Sequence, residues 1–179
     1  MAMFGNKSGK MADEALARVL QEGLAGRKAL MRAYETVAER VPDEEIKGLL
    51  QQFAEEERRE YAIAEGIVRE HGGDPTRISG IRDEVVQLLS RRMFSSGETP
   101  YSMVRDLTIL YGMEAAGQLG AKSLQPVAEN LDDARWRSAL MESVDRAKVH
   151  MDSLRGCVES YSSQFQDIGD GLGGSALPP

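Results

Sequence analysis

The stretch VPDEEIKGLLQQFAEEERREYAIAEGIVREHGGDP, residues 41–75, decides the fold class. Its apolar residues recur three or four positions apart, which is the spacing of one helix face and not of a strand. Pro42 and the acids after it favour a helix N-terminus. The closing His-Gly-Gly-Asp-Pro favours a stop, because glycine supplies a left-handed C-cap and proline blocks continuation. The stretch therefore predicts one long helix over about Pro42–His71.

Two glutamates interrupt the apolar stripe of this helix. Glu57 lies in the middle of the stripe, and Glu60 flanks it on the same side. The apolar members of the stripe are Ile46, Leu49, Leu50, Phe53, Ala64, Ile67 and Val68. A buried carboxylate is unfavourable unless a cation or a hydrogen-bond donor meets it. The two positions are therefore candidates for a functional site inside the core.

The rest of the chain shows the same helical spacing, and no strand pattern occurs in it. We predict three further long helices and one short one, over about 13–40, 100–125, 133–162 and 79–93. Pro126 is expected to end or kink the third long helix. Two tight hairpins joined by a crossover at 74–99, which contains the short helix, predict an all-α four-helix bundle with one long connection.

Composition sets the boundaries of the domain and excludes several classes of function. We predict a flexible leader at 1–11, a bundle at 12–163 and a flexible glycine-rich tail at 164–179. The net charge of −7 disfavours nucleic acid and anionic membranes as partners. The single cysteine, Cys157, excludes an intramolecular disulfide and is expected to be buried. No apolar stretch has the length of a bilayer span or signal peptide, so a cytoplasmic location is expected.

Antiparallel hairpins place residues at equal distance from the turn at the same height. Arg27 and Glu57 each lie fifteen positions from Pro42, and both fall on inward faces. A third inward carboxylate, Glu114, lies in the stripe of the third long helix and is level with Lys148 if that turn centres near Leu131. Buried charges of opposite sign stabilise each other only when they are paired. The sequence therefore predicts a core of ion pairs formed by Arg27, Glu57, Glu60, Glu114 and Lys148.

The pattern over Ala12–Tyr161 resembles the ferritin-like superfamily. The Pro-Asp-Glu-Glu turn, Glu57-Arg-Arg-Glu60 and the closing His-Gly-Gly-Asp-Pro look like the small bacterial stress-associated members. The resemblance implies two iron ions, held by one Glu from each of two helices and a Glu-x-x-His motif from each of the other two. In this chain Glu57 matches the Glu of the first motif, and Glu60 stands where its histidine is expected. Glu114 matches the single Glu of the third long helix.

The remaining ligand positions depart from the family pattern. Glu22 has a suitable separation from Glu57, but it lies about 120° from the centre of its apolar stripe at 100° per residue. Asp145-Arg-Ala-Lys148 occupies the second Glu-x-x-His motif, and Asp145 points away from its stripe. An iron site would thus use Glu22, Glu57, Glu60, Glu114 and Asp145. The ion-pair core is the preferred interpretation, with no cofactor, and iron is the alternative.

Other candidate residues have structural explanations. His71 is expected to cap a helix C-terminus, and His150 is expected at the surface or in an interface. Gly112, Gly117 and Gly120 lie inside a predicted helix, which favours close helix packing or a dimer contact. Tyrosines are expected in the core with hydroxyls bonded to the acids. These are Tyr34, Tyr61 and Tyr111.

Three functions remain open at this point. The preferred one is a non-enzymatic interaction or stress-associated protein that forms a homo-oligomer and has lost its metal centre to ion pairs. The second is a di-iron carboxylate protein that binds or oxidises iron. The third is a cargo protein whose tail docks into a larger assembly through Leu172, Ser175 and Leu177, since residues 171–177 distantly resemble the Gly-Ser-Leu docking tails of encapsulin cargo. A disordered extension is the alternative explanation of this tail.

Overall fold

A computed structural model of the chain describes residues 5–76, 94 and 99–172. These residues form four helices, α1 Gly5–Ala38, α2 Glu44–Glu70, α3 Pro100–Asn130 and α4 Ala134–Leu172. The described ranges contain no strand, so the predicted all-α class and the four-helix count of the bundle are confirmed. The short helix predicted at 79–93 lies outside the described residues.

The helix ends differ from the predicted ones in three places. Helix α1 begins at Gly5, α3 continues through Pro126 to Asn130, and α4 continues to Leu172. Pro126 is exposed and lies about one turn before the end of α3, where the carbonyl that loses its partner has access to water. The proline therefore does not stop the helix. The division into flexible leader, bundle and flexible tail stays a prediction.

Local capping interactions fix the positions of the inter-helix turns. The Asp43 side chain accepts hydrogen bonds from the backbone amides of Glu45 and Ile46, at 2.9 and 3.1 Å, and so starts α2. Thr99 and Ser102 form a capping box at the start of α3. Between α3 and α4 the backbone turns at Asp132, which has a positive φ of 52°. That short polar residue tolerates the left-handed conformation better than a branched one.

Contacts between helices define their directions. The pairs that join α1 to α3 are Tyr34–Glu114 and Arg40–Asp106, and those that join α2 to α4 are Glu56–His150 and Glu60–Arg146. Between α1 and α3, the residue number rises from 34 to 40 on one helix while the partner number falls from 114 to 106 on the other, so these helices are antiparallel. The same holds for α2 and α4. Helices α2 and α3 consequently run in the same direction, as in a bundle with one long connection.

The apolar core consists of two clusters on either side of a charged layer, which is formed by Arg27, Glu56, Glu57, Glu60, Glu114, Arg146 and His150. The first, which we call the closed half, includes Val37, Leu50, Phe53, Met103, Leu107, Leu110, Leu154, Cys157 and Tyr161. The second, the open half, comprises Leu20, Leu24, Ile67, Val68, Ala121, Ala128, Trp136 and Leu140. Burial of Cys157 agrees with its expected role as a structural thiol. Among the described helices, none combines the length and the apolar character needed to cross a bilayer.

Close helix packing does not explain the glycines of α3. A Cβ atom built on Gly112, Gly117 or Gly120 meets no heavy atom within 4 Å, and all three residues are exposed. The prediction of close packing within the chain is therefore wrong at these positions, because the neighbouring helices lie too far away to require a missing side chain. A dimer contact through these residues stays a prediction.

Candidate metal centre

Three metal-ligating side chains from three different helices meet between the two halves of the core. They are Glu57 on α2, Glu114 on α3 and His150 on α4, and all three are buried. One ligand atom from each lies within 4.8 Å of the other two. The convergence is a consequence of the helix registers, since each residue lies on the inward face of its own helix at the same height. Such a set of carboxylate and imidazole donors suits a divalent first-row transition metal.

His150 is held at both ring nitrogens by carboxylates. Its Nδ1 lies 2.6 Å from Glu114 Oε1, and its Nε2 lies 2.9 Å from Glu56 Oε2. The ring also stacks on Phe53 with 3.9 Å between the ring centroids, which fixes its plane. Burial by itself lowers the pKa of His150, but the hydrogen bonds to Glu114 and Glu56 and the charges of Glu114 and Glu57 outweigh burial, so its pKa is raised. Without a metal, the ring therefore favours the imidazolium form, which donates to both carboxylates.

The same oxygen of Glu114 that meets His150 accepts from a second donor. The Tyr34 hydroxyl donates a hydrogen bond to Glu114 Oε1 at 2.5 Å. Burial and the negative charge of Glu114 raise the pKa of Tyr34 far above its ordinary value, so the phenol stays neutral and remains a donor. This agrees with the expected position of Tyr34 beside the acids.

Two guanidinium groups occupy the side of the cluster that faces the open half. Arg27 Nη1 lies 3.2 Å from Glu57 Oε2 and also contacts Glu60, while Arg27 Nη2 donates to Ser143 Oγ at 2.5 Å. Arg146 contacts Glu60 Oε1, and its Nε lies 3.8 Å from Glu56. Glu60 is therefore bound by two cations, which is the arrangement that a buried carboxylate needs.

Glu57 is less well compensated than Glu60. Burial raises its pKa, and this effect outweighs the opposing attraction of the Arg27 guanidinium, while the nearby charge of Glu114 raises the pKa further. A cation close to both carboxylates would remove this repulsion. The side of the cluster formed by Glu57 and Glu114 is thus the part that gains most from a bound metal ion.

The predicted place of Lys148 in this cluster is wrong. Lys148 is exposed, and the residue that meets Glu114 is His150, which was expected at the surface and has no exposed area. Glu114 and His150 each lie eighteen positions from Asp132, so the turn centres one residue later than Leu131. Moving the centre by one residue moves the facing position by two, which is about 200° around a helix. Lys148 consequently points to solvent.

The other predicted residues divide into two groups. The structure brings together Arg27, Glu57, Glu60 and Glu114, whereas the alternative iron ligands Glu22 and Asp145 are exposed and lie outside the cluster. Of the proposed docking residues, Leu172 is the last residue of α4, and Ser175 and Leu177 lie outside the described residues.

Sequence reasoning missed three members of the cluster, namely His150, Arg146 and Glu56. The buried positions of α4 include Ser143, Ala147, His150, Leu154, Cys157 and Tyr161, which alternate in steps of three and four. This spacing is that of one helix face, so the sequence carried a signal for the inward position of His150. Glu56 carries no such signal, because it is only half-buried at the edge of its helix face, where it contacts Gln52, Arg146 and His150.

The donor set fits one metal ion and does not fit two. Glu57, Glu114 and His150 Nδ1 supply three ligands, and Glu56 would accept from Nε2–H and orient the imidazole, as outer carboxylates do in metal sites. A second ion would have to displace Arg27 and Arg146 from Glu60, and their positive charges repel it. Comparison with known proteins adds no identification: no family model matches the chain, and no curated protein matches it.

Proposed function

We propose that this protein is a ferritin-like bundle that binds one divalent transition-metal ion through Glu57, Glu114 and His150. The observation that carries the proposal is the convergence of these three buried donors, with the distal nitrogen of the imidazole already held by Glu56. A bound ion would supply positive charge to two carboxylates that otherwise repel each other. It would add Lewis acidity or one-electron chemistry according to the metal.

Ion pairs fill the remainder of the centre in this proposal. Arg27 lies on α1, where the family pattern has a glutamate ligand, and Glu60 stands at a histidine position of that pattern. The two residues contact each other, so a pair of charged side chains takes the place of a second ion and its ligands. This arrangement supports metal binding without the paired ions that di-iron oxidation requires.

A second candidate is the protein without metal, a non-enzymatic interaction or stress-associated protein that forms a homo-oligomer. The observation that favours it is the complete pairing of the charged cluster. Glu57 meets Arg27, Glu60 meets Arg27 and Arg146, and Glu114 meets Tyr34 and His150. Because every buried charge of the cluster has a partner, hydrogen-bond donors and guanidinium groups can compensate the buried carboxylates without a metal ion.

Metal titration separates these candidates. We expect calorimetry with Mn²⁺ or Zn²⁺, and anaerobically with Fe²⁺, to give one ion per chain, and elemental analysis to give the same stoichiometry. Glu114→Gln should abolish binding, because it removes a charged ligand between Tyr34 and His150. Asp145→Asn is the matched control, since Asp145 is an exposed acid on the same helix as His150.

Each other outcome identifies a different function. Two ions per chain, lost on Glu60→Gln or Glu22→Gln, would contradict the single-ion proposal and establish the di-iron alternative. Absence of any binding that depends on Glu114 would contradict it as well and leave the ion-pair protein. Equal loss in Asp145→Asn and Glu114→Gln would show nonspecific surface binding.

A further inference from the structure

The open half of the bundle contains a cavity of about 490 Å³. Pockets that bind small organic molecules have volumes of about 300–1,000 Å³. The walls of this cavity are apolar side chains from all four helices, including Leu20, Leu24, Ile67, Leu124, Trp136 and Leu140. A cavity this large in a core otherwise built from aliphatic residues loses many packing contacts when it is not filled. Its size and its walls are therefore those of a ligand site.

The floor of the cavity is the guanidinium side of the charged layer. Arg27, Glu57, Glu60 and Arg146 all line it, and they form ion pairs with one another. Glu114 lines the cavity as well, and it is hydrogen-bonded to Tyr34 and His150, so each carboxylate of the floor already has a partner. An ionic head group would have to separate a buried pair, which is strongly unfavourable. The existing pairs therefore favour a neutral ligand.

Exposed glycines line the cavity on α1 and α3, and we infer that it opens to solvent between these two helices. Gly23 and Gly26 on α1 and Gly117 and Gly120 on α3 all line the cavity and are exposed. A Cβ atom on any of them would meet nothing within 4 Å, so no neighbouring helix requires glycine there. The absence of side chains at these four positions widens the opening and lets a ligand approach the backbone closely.

We propose that this cavity binds a neutral, hydrocarbon-rich small molecule, which enters between α1 and α3 and packs against Trp136. Two of the metal ligands, Glu57 and Glu114, line the cavity, so the two sites share a boundary, but the proposal does not rest on metal binding.

A pair of fluorescent probes with similar aromatic groups tests the neutral-ligand requirement. N-phenyl-1-naphthylamine is neutral, and 8-anilino-1-naphthalenesulfonate adds a sulfonate. With metal-free protein we expect saturable binding of one neutral probe per chain, and binding of the anionic probe weaker by about tenfold or more. Trp136 is the only tryptophan and lines the cavity, so quenching of its emission by energy transfer reports binding of the probe, and the variants below locate the bound probe.

Substitutions at the opening test the location. Gly120→Leu and Gly117→Leu should each weaken binding of the neutral probe by about tenfold, because a leucine side chain obstructs the opening. Gly112→Leu is the matched control: Gly112 lies on the same helix, is exposed and has open space around it, but does not line the cavity. Leucine is a better helix former than glycine, so none of the three variants should impair folding.

Several results would overturn the proposal. They are absence of saturable binding, equal affinity for the two probes, or equal effects of Gly120→Leu and Gly112→Leu. Sedimentation velocity can give a further result that overturns the proposal. If the chain is a dimer that Gly120→Leu dissociates, and the neutral probe does not bind the wild type, then a second copy of the chain covers the opening.

Discussion

The closed and open halves of the bundle use the same four helices and the same kinds of residue, yet only one of them is filled. In the closed half Leu50, Leu107 and Leu154 have no exposed area and pack around Phe53. In the open half Leu20, Trp136 and Leu140 surround a cavity of about 490 Å³. The charged layer lies between them. In the proposals made above, one half maintains the fold, while the other half and the layer bind ligands.

Truncating one leucine in each half gives the largest expected effect. Leu107→Ala should reduce the free energy of unfolding by about 4 kcal/mol, because it creates a cavity in a fully packed region. Leu140→Ala should reduce it by about 2 kcal/mol, because Leu140 already borders empty space and has fewer contacts to lose. Urea denaturation of both variants measures the difference. Equal losses would show that the open half is packed as tightly in solution as the closed half.

Breaking the charged layer should have the next largest effect. Arg27→Met should destabilise the protein by about 3 kcal/mol, because it removes the cation that contacts both Glu57 and Glu60 and leaves buried carboxylates behind. Arg58→Met is the matched control, since Arg58 forms ion pairs with Glu35 and Glu55 at the exposed surface. If denaturation curves of the two variants coincide, the layer contributes no more than a surface ion pair.

The pH dependence of stability should identify the protons in the layer. The pKa of His150 in the folded chain is raised above its ordinary value of 6.5, so the imidazolium contributes stability that is complete below pH 6.5. That contribution is lost as the pH rises through the folded-state pKa. We expect the free energy of unfolding of the metal-free protein to decline over this range, and His150→Gln to decline less. An identical pH profile for the variant would contradict the role of His150.

Metal affinity should change in the opposite direction over the same pH range. A metal ion at Nδ1 has to replace the proton that His150 shares with Glu114, so binding should release a proton and strengthen as the pH rises. Calorimetry in buffers with different ionisation enthalpies measures the released proton. A metal affinity that does not vary with pH would exclude His150 Nδ1 as a ligand. The layer would then be interpreted as a set of ion pairs only.

The smallest expected effect on stability is that of the tail. Deleting residues 169–179 should leave the melting temperature nearly unchanged, because residues 164–179 have too few large apolar side chains to form a core of their own. If the chain is a cargo protein, the same deletion should remove the partner that co-purifies with it. A large drop in melting temperature would show that the tail packs on the bundle, and an unchanged partner would leave it as an inert extension.

The sequence by itself determined the helices and four members of the charged layer, namely Arg27, Glu57, Glu60 and Glu114. Periodic apolar stripes identify helices, because one face of each has to be buried, and the glutamates at 57, 60 and 114 interrupt those stripes visibly. The pairing of Arg27 with Glu57 was predicted from the first hairpin alone, because that turn is short and its centre is defined by Pro42 and Asp43. The two side chains lie 3.2 Å apart.

Only the tertiary structure decided which residue of α4 completes the site. The turn at Asp132 sets the register of the second hairpin. Because its centre lies one residue later than Leu131, the residue that faces Glu114 is buried His150 and not exposed Lys148. Side-chain direction changes by about 100° per residue along a helix, so an error of one residue in the position of a turn places a different side chain in the core. The cavity is a tertiary property as well, because the unfilled space depends on distances between helices that no single stripe encodes.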